Sequence, residues 1–268
     1  MLWRLGSVVV VALCLASCAA ATDDGDDSPA HGYGTGSHEA SSTSHPDAGD
    51  EAPTQERLSL SSTEVSRAQL ELGPTGLEAE LVRDGLDSVY RAEALWGRSQ
   101  TSPGEPVRLQ EGSVVATSFT STLDLGGVDG GDIWAVSWQL VGPDGNGNWP
   151  GPPLALTVGN GQWRIGGGDG YPGGSRESYA EIGIPFRDGQ TIDWVIEVTV
   201  EAEGGTVDVW ADGEHVVRTW RPPGGTLYPE QPYVLMKTGL YTGGGEAGRS
   251  SRMTIADAVA TVQTPPAR

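Results

Sequence analysis

One segment towards the carboxyl end carries two side chains whose chemistry is compatible with catalysis. Alternate residues of a strand share a face, so the run Tyr233–Tyr241 places Lys237, Gly239 and Tyr241 together. An ammonium group can hold an anion and a phenol can transfer a proton. The two groups lie roughly 13 Å apart along the strand, with bare glycine backbone between them. Lysine is depleted from strands, so Lys237 either faces a ligand or is an unusual structural residue, and Tyr241 is either functional or a sheet-edge aromatic.

Two further strands carry polar side chains in the same alternating pattern. Arg91 and Glu93 share one face of their strand, and Gln139 lies on one face of another. If all three faces line one concave sheet, these residues enclose a site together with Lys237 and Tyr241. The alternative is that Arg91 and Glu93 simply pair across a polar sheet face, with no ligand involved.

The elements that must position these residues are strands. From Leu58 onward, short runs rich in Val, Ile, Trp and Thr alternate with clusters of Gly, Pro, Asp and Asn. Asp212-Gly213 indicates a tight hairpin, and only Glu64–Leu70 has the pattern of a short helix. Residues 58–268 are therefore predicted to form one all-β domain, a sandwich or jelly roll. The predicted strands are Leu77–Leu81, Ser88–Leu95, Ser113–Thr122, Ile133–Val141, Leu154–Val158, Gln162–Ile165, Thr191–Glu201, Thr206–Ala211, Glu214–Trp220, Tyr233–Tyr241 and Ser251–Thr261.

Four parts of the chain carry short motifs in a fixed order. They are Val89–Glu93, Ser137–Gly142 followed by Pro152–Leu156, Val207–Gly213 and Lys237–Tyr241. Taken in order, they resemble the jelly-roll polysaccharide lyases, which have a concanavalin A-like fold and include the glucuronan lyases and heparin lyase I; the alginate lyases of the same fold are more distant. The corresponding family patterns are Arg-x-Glu, Gln-x-His-Gly followed by Pro-Pro-Leu-Ala-Leu, Val-x-Val-Trp-x-Asp/Asn-Gly and Lys-x-Gly-x-Tyr. The resemblance covers roughly residues 58–262.

The resemblance implies cleavage of a uronic-acid-containing polysaccharide by β-elimination. In this chemistry a base removes the proton beside a uronate carboxylate, and donors or cations stabilise the enolate that forms. The resemblance implies that Tyr241 and Lys237 are the catalytic residues, Tyr241 as acid and also as base. Arg91, Glu93 and Gln139 would then bind the substrate.

This chain departs from the family pattern at one position. The family has a histidine two residues after the glutamine, where this chain has Val141. His215, the only histidine of the domain, follows a hairpin turn and is expected to be a surface strand residue. The alternative is therefore a non-catalytic carbohydrate-binding domain on the same scaffold. A structural or adhesive surface protein that recognises protein is a third interpretation.

The tryptophans divide into core and surface candidates. Trp149 lies in the Gly-, Asn- and Pro-rich segment Asp144–Pro153 and is the best candidate for a platform that stacks on a sugar ring. Strand alternation predicts that four others belong to the core: Trp134, Trp138, Trp194 and Trp210. We expect no cofactor. The Asp-rich turns could hold calcium, but their spacing matches no calcium loop.

The amino-terminal segment has the features of a bacterial lipoprotein. Residues 1–17 read as a signal peptide, and Leu-Ala-Ser-Cys matches the lipobox, which makes Cys18 the lipidated residue of the mature protein. The alternative is an ordinary cleaved signal peptide with a chance cysteine. Residues 18–57 are predicted to be a disordered acidic linker, because they contain almost no large aliphatic side chains. We therefore expect a lipid-anchored protein of the bacterial cell envelope, at the outer membrane or the extracellular face.

The charge of the chain restricts its partners. It has 36 acidic and 16 basic residues, and from residue 58 onward 27 acidic against 14 basic, a net charge of −13. Nucleic acid is not expected as a partner, because phosphate binding needs clustered cations. A polyanion is repelled at long range unless cations are concentrated locally. We expect a polysaccharide partner, membrane contact through the lipid anchor only, and a monomer.

Overall fold

The computed structural model describes residues 55–85, 88–98, 105–127 and 133–265. The predicted signal peptide, Cys18 and the linker up to residue 54 lie outside these residues. The described part is all-β, and it contains no helix long and apolar enough to cross a membrane. Its strands are β1 (Gln55–Ser66), β2 (Gln69–Leu72), β3 (Leu77–Val82), β4 (Val89–Arg98), β5 (Val114–Asp124), β6 (Ile133–Val141), β7 (Leu154–Gly159), β8 (Gln162–Gly167), β9 (Ser178–Pro185), β10 (Gln190–Thr199), β11 (Val207–Ala211), β12 (Glu214–Trp220), β13 (Leu235–Gly244) and β14 (Ser250–Gln263).

The strands form one antiparallel sheet that folds back on itself. Twelve of them follow the order β12-β11-β10-β5-β14-β1-β4-β13-β6-β7-β8-β9, and the β2–β3 hairpin attaches to β14. The two ends of this path, β12 and β9, contact each other. In the core, Trp163 of β8 packs against Trp194 of β10 with ring centroids 5.1 Å apart. The predicted jelly-roll sandwich is therefore confirmed.

Each of the eleven predicted strands overlaps an observed one, and three observed strands, β1, β2 and β9, were not predicted. The predicted helix Glu64–Leu70 is wrong: its residues end β1 and begin β2, with a positive φ of 55° at Arg67 between them. Strand partners on β4 and β3 satisfy the backbone of this segment, and an isolated helix of two turns is too short to compete. Strand β9 (Ser178–Pro185) is half-buried or exposed except at a single buried residue, Ile182.

Strand β1 begins at Gln55, three residues before the predicted domain start at Leu58. Gln55, Glu56 and Arg57 pair with the last residues of β14. Their polar side chains are typical of the linker, but strand pairing requires only hydrogen bonds of the backbone.

Two irregularities in the sheet determine which side chains share a face. In β6 the register shifts at Ser137, so Trp134 and Val136 before the shift point to the same side as Gln139 after it. In β13, Gly239 has a φ of 147°, and a Cβ there would overlap the backbone of Ala92 on β4. The glycine is thus required by backbone geometry in addition to leaving the surface bare.

Candidate functional site

Two adjoining cavities lie on the outer face of β4, β13, β6, β7 and β8. We call them together the trough. The first, the Lys237 cavity, has a volume of about 430 Å³, and the second, the Arg164 cavity, about 440 Å³; they share Gly151, Pro152 and Tyr241. The Lys237 cavity is further lined by Glu64, Arg91, Gln139, Val141, Trp149, Pro150 and Lys237. The Arg164 cavity is further lined by Trp134, Val136, Ala155, Thr157, Arg164, Gly166, Gly167, Asp169, Glu177 and Tyr179.

The sequence-predicted residues come together in the first cavity. Arg91, Gln139, Lys237, Tyr241 and Trp149 all line it. The strand register explains this, because β13 lies between β4 and β6. Tyr241 is opposite Arg91, and Lys237 is opposite Gln139. Another cavity of similar volume, lined by Arg98 and Arg108, contains none of the predicted residues.

Lys237 is the only lysine in the sequence of 268 residues, and it is only 3% exposed. Its Nζ lies 2.7 Å from Glu64 Oε2 and 5.4 Å from the centroid of the Trp149 ring. A buried ammonium group is costly unless it is paired, and Glu64 supplies the carboxylate that pairs with it.

Arg91 connects the carboxylates of the site to the phenol. Its Nη1 lies 3.3 Å from Glu64 Oε2, and its Nε lies 3.4 Å from Glu93 Oε2. The guanidinium sits over the ring of Tyr241, 4.7 Å from the centroid. One arginine therefore holds two acids and fixes the plane of the tyrosine.

Glu93 lies beneath the cavity and does not line it. It is 1% exposed, and its Oε1 accepts a 2.5 Å hydrogen bond from Gln139 Nε2. Burial raises the pKa of Glu93, and the charges of Lys237 and Arg91 and the Gln139 hydrogen bond oppose this shift only in part. Glu93 thus orients Gln139 and Arg91 from below, whereas the sequence predicted that it contacts substrate.

Tyr241 lies at the junction of the two cavities, since it lines both. Its ring packs edge-on against Trp134, with centroids 4.9 Å apart. Trp134 was predicted to be a core residue, but the register shift in β6 turns it into the trough. Arg91 and Trp134 together leave the tyrosine ring little freedom.

Trp149 stands on a turn at the rim of the Lys237 cavity and is 52% exposed. The turn is held by Asp144, whose Oδ1 accepts hydrogen bonds of 2.8 Å from the backbone amides of both Asn146 and Asn148. The hydrogen bonds from the Asn148 side chain and from these amides lower the pKa of Asp144. An exposed aromatic ring on a braced turn is suited to stacking on a sugar face.

The family histidine has no substitute among the described residues of the trough. Val141 lines the Lys237 cavity in its place. His215 lies far along the sheet on β12, where its Nε2 is 2.8 Å from Asp208 Oδ1 and its ring stacks on Trp210 at 4.2 Å. Trp210 is therefore half-buried beside His215, although alternation predicted it to be in the core.

Glu64 is the residue that sequence reasoning missed. It was assigned to a short helix, which hid the fact that its strand faces the same side as Arg91. One signal was present: a strand containing the chain's only lysine needs an acidic partner, and candidates lie in the predicted strands and in the segment before them.

Comparisons with known proteins support the fold. No family model and no curated protein sequence matches the chain. Among solved structures, an endo-β-1,4-glucuronan lyase from the fungus Trichoderma reesei matches with a TM-score of 0.58 and 14% identity, over 79% of this chain and 96% of that one. A family 7 alginate lyase in complex with substrate matches with a TM-score of 0.51 and 12% identity, over 79% and 94%. The alginate lyase AlyC3 matches with a TM-score of 0.50 and 10% identity, over 78% and 90%.

The chain has the jelly-roll fold of these polysaccharide lyases. The resemblance noted in the sequence is thereby confirmed at the level of the fold. At identities of 10–14% the likeness establishes the architecture alone. The chemistry of this domain depends on the residues that line its trough.

Proposed function

We propose that the trough binds a uronic-acid-containing polysaccharide and cleaves it by β-elimination. The observation that supports this most is the convergence of Arg91, Gln139, Lys237 and Tyr241 around one cavity. Two cations, an amide and a phenol from three adjacent strands meet the requirements for holding a carboxylate and moving a proton.

The roles follow from the chemistry of the groups. Lys237, Arg91 and Gln139 hold the uronate carboxylate and stabilise the negative charge that moves onto it in the enolate. Tyr241, as phenolate, takes the proton from the carbon beside the carboxylate. The bond to the leaving sugar oxygen then breaks as a carbon–carbon double bond forms, and the Tyr241 phenol returns the proton to that oxygen.

Glu64 affects how the carboxylate is held. It lies between Lys237 and Arg91, where a substrate carboxylate would also find its cationic partners. The substrate must therefore displace this side chain or share the two cations with it. Glu64 is 36% exposed, so it has room to turn towards solvent.

The test is production of an unsaturated uronate, followed by ultraviolet absorbance, from glucuronan, alginate and heparin-type polymers. We expect activity on at least one polymer and a loss of roughly 10²- to 10⁴-fold in Tyr241→Phe. Tyr233→Phe is the matched control, because Tyr233 also lies under an arginine (Arg108) at 4.7 Å but lines neither cavity of the trough. Absence of the absorbance with every polymer would refute cleavage.

A second candidate is carbohydrate binding without cleavage. Val141 in place of the histidine, the Glu64 carboxylate on the cation pair and the net charge of −13 all favour it. Binding of a polysaccharide without turnover, unchanged in Tyr241→Phe, would identify this function. A neutral glycan would then be the expected ligand.

We also propose that the domain works at the bacterial cell envelope, attached through lipidated Cys18. The sequence of the first eighteen residues supports this. The acidic linker would hold the trough away from the lipid surface, where envelope or environmental polysaccharides are accessible.

A further inference from the structure

The two halves of the trough carry opposite charge. In the Lys237 cavity the charged lining residues are Lys237, Arg91 and Glu64, a formal charge of +1. In the Arg164 cavity they are Arg164, Asp169 and Glu177, a formal charge of −1. Tyr241 lies at the boundary between the two.

Asp169 brings negative charge close to that boundary. Its carboxylate packs against Gly151, which lines both cavities, so that a Cβ on this glycine would overlap the carboxylate. The carboxylate accepts a hydrogen bond of 3.0 Å from the backbone amide of Gly170. No cationic side chain is paired with Asp169 among the ion pairs of the described residues.

Tyr179 lines the same cavity as Arg164, Asp169 and Glu177, and all three charges act on its phenol. Burial, a hydrogen bond with Glu177 and the charges of Glu177 and Asp169 raise the pKa of its phenol to about 12, although Arg164 acts in the opposite direction. The two carboxylates thus outweigh the one cation at this position.

Arg164 offsets the charge of only one of the two acids, and it is held against an aromatic ring. Its guanidinium lies over the Tyr179 ring, 3.8 Å from the centroid, and packs against Gly159 so closely that a Cβ there would overlap it. Arg176 does not line the cavity, and its guanidinium stacks on Tyr171 at 4.0 Å. A ligand in the Arg164 cavity therefore meets two exposed carboxylates and one cation, which leaves a net negative charge.

We infer that the substrate is a heteropolysaccharide in which the uronate held in the Lys237 cavity is followed, across Tyr241, by an uncharged sugar in the Arg164 cavity. This rests on the proposed function and narrows it. A homopolymer of uronate would place its next carboxylate beside Asp169 and Glu177, where like charges repel it. The hydroxyl groups of an uncharged sugar can instead donate hydrogen bonds to these two carboxylates.

The test compares two polymers that differ in this one respect. One is a glucuronate homopolymer and the other an unsulfated polymer of glucuronate alternating with N-acetylglucosamine. We expect the wild-type chain to prefer the alternating polymer, measured both as affinity and as ultraviolet-absorbing product. In the double variant Asp169→Asn/Glu177→Gln, we expect this preference to fall roughly tenfold.

The matched control is Glu197→Gln/Glu214→Gln, two exposed acids on β10 and β12. It changes the net charge by the same amount and lies outside the trough, so the preference should stay at the wild-type value. A homopolymer preferred by the wild-type chain, or a preference that the trough variant leaves unchanged, overturns the inference while the proposed function stands. Failure to bind or cleave either of these two polymers also overturns the inference, and the proposed function falls with it only if alginate and heparin-type polymers give no product either.

Discussion

Four charged side chains, Glu64, Arg91, Glu93 and Lys237, are crowded on and below the floor of the Lys237 cavity, and Glu93 is the most deeply buried of them. Its Oε2 has no hydrogen bond among the described residues, although Arg91 Nε lies 3.4 Å away. A carboxyl group in that position costs free energy when it ionises. The ionisation of Glu93 is therefore linked to the free energy of unfolding of the domain.

We predict that Glu93 makes the domain less stable as the pH rises. Because burial raises its pKa above the ordinary value of 4.5, the folded chain keeps a proton that the unfolded chain has lost. Stability then falls with rising pH, by at most about 1.4 kcal/mol per pH unit, from the unfolded pKa up to the folded one. Lys237 and Arg91 limit the width of this window, and Glu64 widens it.

Urea unfolding over a pH series checks this prediction. The free energy of unfolding of wild type minus that of Glu93→Gln should decline with pH across the window and level off above it. Glu78→Gln, an exposed glutamate on β3, should run parallel to wild type throughout. Parallel curves for wild type and Glu93→Gln would show that the acid ionises normally in the fold.

The sequence predicts which face of a strand a residue lies on, but it does not predict contacts between residues that are distant in sequence. Arg91, Gln139, Lys237 and Tyr241 could be found because strand alternation assigns each to a face. The role of Glu93 could not be predicted, because alternation puts it on the same face as Arg91 without revealing that Arg91 and Gln139 cover it. Nor could the sequence show that Glu64 pairs with Lys237, a contact between residues 173 positions apart.

At the scale of elements, the turn from Asp144 to Asn148 determines where Trp149 stands. Asp144 also donates its own amide to the carbonyl of Asn148 at 2.7 Å, which closes the turn. The ring is exposed and packs little against the core, so its position depends on this turn. Trp149 is in addition 5.4 Å from Lys237 Nζ.

We predict that Asp144 acts on glycan binding only through Trp149. Trp149→Ala should weaken binding of glucuronan oligosaccharides by roughly fivefold to tenfold, about 1 kcal/mol or slightly more, through the loss of stacking on a sugar ring. Asp144→Ala should cause a smaller loss, and the double variant should match Trp149→Ala alone. Calorimetric titration gives the three affinities.

Asp124→Ala provides the control for this cycle. Asp124 likewise caps a backbone amide, that of Gly126 at 2.8 Å, but it lines neither cavity of the trough. Its substitution should leave the affinity unchanged. Additive losses in the Asp144 and Trp149 double variant would mean that Asp144 contributes independently of the ring.

Strands were predictable and their irregularities were not. Alternation and turn residues located eleven of the strands, because each has one face against the core. The register shift at Ser137 escaped prediction because it depends on how β6 pairs with β7. That shift turns Trp134 towards Tyr241. The shape of the trough therefore depends on how the strands pair, which the sequence of a single strand does not reveal.

At the scale of the whole molecule, the net charge of −20, of which −13 lies from residue 58 onward, opposes the cation pair in the trough. A polyanion is repelled at a distance and attracted only once its carboxylate reaches Lys237 and Arg91. This arrangement favours polymers of low charge density over fully charged ones. Added salt should therefore weaken the long-range repulsion more than the partly buried contacts.

The amino-terminal sequence gives a prediction for the full chain. Expressed in a bacterial host with labelled palmitate, the protein should incorporate the label. Cys18→Ser should abolish incorporation, because the thiol at this position accepts the lipid. Cys14→Ser, which changes the only other cysteine, should keep it. Equal labelling of the two variants would contradict the lipoprotein assignment.

The central claim is that the Lys237 cavity binds a uronate carboxylate, and the single lysine permits a direct measurement. Lysine labelled with ¹³C at Cε gives one lysine signal, that of Lys237, in the spectrum of the chain. Titration with glucuronan oligosaccharides should shift this signal in a saturable manner, while uncharged oligosaccharides of the same length should shift it far less. A signal that stays in place at every concentration of every uronate oligosaccharide would contradict the account.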